Sequence, residues 1–173
     1  MEGCTIVAAG STSGGSRAVA VGATAGARVL LETAPLLAVT LPGASVDAER
    51  AAAALVRGLH AGGIARCDVL QLDHAAASPD LDATLAAARF QERLHRARAL
   101  VILTERLEPQ GLASSAAFEL ATRARQGGVP CSAVTRTNLL GPFERRILDL
   151  QEVLEAPSNS ALLTAGGLLA ATL

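Results

Sequence analysis

"ALVILTERLEPQGLASSAAFELATRARQGGVPCSAV", residues 99–134, carries the pattern on which the fold turns. Its first residues form a continuous apolar run, "ALVILT" (99–104), bounded by a polar turn and suited to a buried strand. The turn, "TERLEPQGL" (104–112), gives way to a small-residue helix from about 114 to 126, which Gly127-Gly128 closes. "CSAVT" (131–135) then begins a second apolar strand. Strand, helix and strand joined by short links form one unit of a parallel sheet.

Outward from this unit the alternation continues. "LLAVTL" (36–41) reads as a buried strand ending at Pro42-Gly43. "SVDAERAAAALVRGLHAGG" (45–63) reads as a helix, with Asp47 as N-cap and Ala52, Leu55, Val56 and Leu59 on its apolar stripe. "CDVLQL" (67–72) is the next strand. Ser78 caps a helix that starts at Pro79 and buries Leu81, Leu85, Ala88 and Leu94. "FERRILDLQEVLEA" (143–156) puts Phe143, Ile147, Leu150 and Leu154 on one helical face, and a last helix follows Pro157. These elements predict a single three-layer α/β domain over 1–173, with a mainly parallel, doubly wound sheet. Residues 1–34, with Gly-rich turns between short apolar runs, read as a β-rich extension that adds antiparallel strands, with a helix over 16–26 as the competing reading. Residues 143–173 read as a helical pair through which the chain would form a homo-oligomer.

Composition narrows the function. Hydrophobic residues make up 50% of the 173 and charged residues 18%, with a net charge of −1, so a disordered chain and an electrostatic nucleic-acid or membrane binder are both disfavoured. All fifteen basic residues are Arg, which removes the phosphate-loop and Schiff-base lysines. Cys4, Cys67 and Cys131 are far apart, each opening an apolar run, and read as small hydrophobes entering a sheet; no metal-ligand spacing occurs. The start "MEGCTIVAAG" lacks a basic region, and no apolar run approaches the ~20 residues of a membrane span, so a cytoplasmic location is expected.

In an open parallel sheet, ligands lie beyond the carboxyl ends of the strands. Four loops occupy those ends: "PGAS" (42–45), "DHAAAS" (73–78), "TERLEPQGL" (104–112) and "RTNLLGP" (136–142). Arg106 and Arg136 suit a carboxylate or phosphate, and Asp73 or Glu108 suits a base or metal ligand toward a hydroxyl. Ser114 and Ser115 have no His–Asp set beside them. "GSTSGGS" (10–16) matches no phosphate-loop pattern.

The order "LLAVTLPGASVDAERAAAALVRGLHAGG", "DVLQLDHAAAS" and "VILTERLEPQGLASSAAFELATRARQGGVPCSAV" resembles the glycerate kinase family over about residues 36–140. The resemblance implies ATP- and magnesium-dependent phosphoryl transfer to a small hydroxy acid. It assigns catalysis to Asp73, Arg106 and Glu108, and substrate binding to Glu105, Gln110 and Arg136. The family's loop lysines have no counterpart, so it implies a shortened relative with weakened activity. The alternative reading is a non-catalytic α/β binding or oligomerisation module.

Overall fold

A computed structural model of the chain describes residues 34–41, 48–72 and 81–173. Five strands, β1 (Leu36–Thr40), β2 (Cys67–Gln71), β3 (Ala99–Leu107), β4 (Cys131–Asn138) and β5 (Leu150–Glu155), form one sheet in the order β2-β1-β3-β4-β5. Every neighbouring pair is parallel. The helices are α1 (Ala48–Ala61), α2 (Leu81–Ala87), α3 (Phe90–Arg96), α4 (Ala116–Gln126), α5 (Pro142–Ile147) and α6 (Asn159–Thr172). This is the doubly wound α/β architecture expected from the strand–helix alternation. Among the described residues, no helix is long and apolar enough to cross a membrane.

The period of two along each strand divides the core between two faces. Leu36, Ala38, Val101, Leu103 and Val134 pack against Leu55 and Leu59 of α1 and Leu162 and Leu169 of α6. Leu37, Val39, Leu100, Ile102 and Ala133 pack on the other side against Leu85, Phe90, Leu94 and the Leu120 face of α4. The central strands β1 and β3 are therefore apolar on both sides, which is why they read as unbroken hydrophobic runs.

Three expectations need correction. β3 does not stop at Thr104: Arg106 pairs with Thr137 and Leu107 with Asn138, so β3 and β4 both run past their apolar segments into polar sequence. The helix expected over Ser78–Leu94 is divided, because Arg89 adopts a left-handed backbone (φ 52°) between α2 and α3. The helix expected over 143–156 is two elements. α5 ends at Ile147, Asp149 turns the chain with φ 54°, and Leu150–Glu155 joins the sheet as β5. The C-terminal helical pair is thus a short helix, an edge strand and α6. The antiparallel strands expected within 1–34, the Asp47 and Ser78 caps and the 73–78 loop lie outside the described residues.

Candidate functional site

β1 leads into α1 on one face of the sheet, and the neighbouring β3 leads into α4 on the other. Where connections leave adjacent strands in opposite directions, a crevice opens at their carboxyl ends. Here Leu41 N–H donates to the Leu103 carbonyl at 2.8 Å and closes the crevice floor. The cavity holds about 280 Å³. Leu41, Leu107 and Leu112 give it an apolar base, while Thr104, Arg106, Glu108, Gln110 and Ser114–Ala117 surround it.

The sequence positions the polar groups step by step. Arg106 shares a strand face with Thr104, two residues before it, and both line the crevice. Gly111 takes a left-handed backbone (φ 69°) that starts a single 3-10 turn over Leu112–Ser114. Ser115 then caps α4: its Oγ accepts from the Phe118 N–H at 3.1 Å and donates to the Leu112 carbonyl at 2.7 Å. Ser114 Oγ donates to the Gly111 carbonyl at 3.0 Å. Both serine protons are held by the turn, so these hydroxyls shape the helix start and are poor nucleophiles. The first helical N–H groups, at Ala116 and Ala117, lie at the crevice wall with no helical carbonyl before them.

Arg106 Nε and Glu108 Oε2 stand 2.8 Å apart, both well exposed. Such a pair is held weakly. Among the described residues the Nη groups of Arg106 make no hydrogen bond, leaving donors for an anion. Gln110 completes the rim. Three of the six residues singled out from sequence, Arg106, Glu108 and Gln110, therefore converge.

Glu105 and Arg136 go elsewhere. Arg136 Nε lies 3.2 Å from each Glu105 carboxylate oxygen. Its Nη groups donate to the Pro157 carbonyl at 2.9 Å and Asn159 Oδ1 at 3.2 Å, tying β3 and β4 to the start of α6. That cluster sits by Leu162, on the α1–α6 face. Asp73 lies outside the described residues. The group that sequence reasoning missed is the amino end of α4, although Ser115 before an alanine pair is the usual mark of a capped helix start.

No family model matches the chain, and no curated protein matches it. Among solved structures it is similar to a diflavin flavoprotein A3 from Nostoc sp., at 16% identity over 80% of this chain and 92% of that one, TM-score 0.47. It is similar also to a flavodoxin from the domain Archaea, at 12% identity over 79% and 97%, TM-score 0.45. A flavodoxin-like domain from Synechococcus sp. aligns at 15% identity over 79% and 99%, TM-score 0.40. These likenesses are too distant to carry function, and the fold is read from the sheet itself.

The glycerate kinase reading is corrected, and with it the ATP, magnesium, kinase and transferase expectations: no family model and no curated protein supports that family. The physical reason is in the site as well. A chain without lysine surrounds this crevice with one guanidinium and one carboxylate already paired to it. Among the described residues no three His, Cys, Asp or Glu side chains gather as a metal site. For the alternative, a non-catalytic α/β binding or oligomerisation module, the C-terminal helical pair is corrected to two helices with β5 between them.

Proposed function

We propose that this chain binds a phosphate-bearing mononucleotide, of the flavin mononucleotide class, in the crevice between β1 and β3. The observation that carries this reading is the convergence of Arg106 and the amino end of α4 on that switch point. In parallel sheets of order 2-1-3-4-5 this crevice is where ligands lie, flavin mononucleotide among them. A phosphate suits the donors present: a guanidinium fork opposite helix N–H groups at the positive end of the dipole.

The ring needs apolar surface, and the chain has neither Trp nor Tyr to supply it. Leu139 and Phe143 follow the carboxyl end of β4 and are 48% and 71% exposed. The Leu139 N–H donates to the Leu107 carbonyl at 2.8 Å, which sets this loop beside the crevice. A bound flavin supplies electron transfer; the residues described here hold its phosphate, orient it and cover part of its ring.

Equilibrium dialysis with flavin mononucleotide and with riboflavin tests the reading. The phosphate ester should bind about tenfold more tightly than riboflavin, one charge-assisted hydrogen bond's worth. Arg106→Gln should remove that preference and leave riboflavin binding unchanged. Equal binding of the two, binding of neither, or an unchanged preference in the variant overturns the proposal.

A further inference from the structure

The opposite end of the sheet carries a second concentration of positive charge. Leu36 is in register with Cys67 on one side and Ala99 on the other, so the residues just before these strands, Pro35, Arg66 and Arg98, stand in one row. Backbone hydrogen bonds fix that row: Leu36 N–H to the Arg66 carbonyl at 2.9 Å, and Arg98 N–H to the Pro35 carbonyl at 3.1 Å. The last turn of α3 adds Arg93 and Arg96. Together they enclose a cleft of about 450 Å³, lined by Pro35, Arg66, Cys67, Asp68, Arg93 and Arg96.

Three guanidinium groups, those of Arg66, Arg93 and Arg96, thus line the cleft with one carboxylate, Asp68. Arg93 reaches Asp68 at 3.3 Å and the Val69 carbonyl at 3.5 Å, while Arg96 pairs with Glu92 on its own helix. Arg98 precedes β3 in the same row outside the cleft lining, and its Nε is buried without a hydrogen-bond partner. A buried unpartnered donor costs about 1–3 kcal/mol, and like charges at this density repel. An anion in the cleft offsets that repulsion. Burial raises the Cys67 thiol, and the Arg98 charge draws it partly back.

We infer that the cleft at the amino ends of β1 and β2 is a second binding site, taking a small polyanion that carries more than one phosphate charge. Guanidinium forks favour phosphate oxygens, and the cleft's size admits a diphosphate group with what it is attached to. The site lies across the length of the strands from the β1/β3 crevice and does not depend on the flavin reading.

Inorganic pyrophosphate is the probe, titrated calorimetrically into the full chain at about 0.1 M salt. Arg93→Gln/Arg96→Gln should weaken its affinity by at least about tenfold, and Arg106→Gln should leave this site unchanged. Arg96→Gln alone, at an exposed position, should lower affinity in the same direction if the double variant is unstable. Pyrophosphate should also slow alkylation of Cys67 by iodoacetamide, read on its own peptide by mass spectrometry. No pyrophosphate binding, binding lost in Arg106→Gln but not in the arginine variants, or an unprotected Cys67 overturns the proposal. Because flavin binding is measured separately, failure here and failure of the flavin reading are distinguishable.

Discussion

Cys131 begins β4 with its side chain buried in the core beneath α4. Burial pushes its thiol up to about 12, and the nearby Asp149 carboxylate adds in the same direction. In the unfolded chain the thiol titrates near 9.0. Between these values the unfolded state releases a proton that the folded state keeps. The contribution is therefore fully present below about pH 9 and is lost as pH rises toward about 12. The slope is at most about 1.4 kcal/mol per pH unit for one thiol. The chain has no Lys and no Tyr, so little else titrates in that window. Cys67, also raised by burial, adds with the same sign. Urea denaturation at pH 8 and at pH 10.5 should show a clear loss of stability in the native sequence. In Cys131→Ala the loss should be smaller, although the variant starts lower; parallel losses would contradict the burial of this thiol.

At the scale of elements, the contact between α1 and α6 is set by glycine. A β-carbon on Gly58 would stand 2.0 Å from the Leu163 carbonyl oxygen, and one on Gly166 would stand 2.4 Å from that of Leu55. The two backbones touch where they cross. Gly167 has its nearest neighbour at 3.9 Å, which is ordinary contact. Gly58→Ala should therefore destabilise by about 2–3 kcal/mol or more, because forcing the helices apart outweighs alanine's better helix propensity. Gly167→Ala should be neutral or stabilising by up to about 1 kcal/mol. Thermal denaturation of both variants checks the pair; equal effects would mean the crossing is looser than described. This contact was not legible in the sequence, where Gly58 lies unmarked inside the helix read over 45–63. The other elements were legible where one local rule governed them: continuous apolar runs for the cores of β1 and β3, the Gly127-Gly128 stop for α4, the break at Pro157 before α6. β5 was missed because Phe143, Ile147, Leu150 and Leu154 keep helical spacing by accident of two elements meeting. Only the backbone at Asp149 breaks the helix, and aspartate is not an obligatory sign of a left-handed residue.

For the whole molecule, the fold class was legible because alternation of strand and helix leaves few right-handed ways to assemble. The site was half legible. The carboxyl ends of the strands could be located, but a loop was assumed where β3 continues, and a strand's period of two sends Glu105 and Arg106 to opposite faces. That same alternation makes the sheet a shared wall between two hydrophobic layers. Leu55 on α1 and Leu120 on α4 are both fully buried, one in each layer. Either residue cut to alanine should cost about 2–5 kcal/mol. The two belong to different core clusters separated by the sheet, so the double variant should lose the sum within about 0.5 kcal/mol. Each layer packs against residues of the same β1 and β3, so neither can unfold while the other keeps its sheet face ordered. Denaturant unfolding followed by far-ultraviolet circular dichroism should remain one transition in both single variants and in the native sequence. A second transition in Leu120→Ala but not in Leu55→Ala, or the reverse, would mean that the layers are stabilised independently and that the central strands do not couple them.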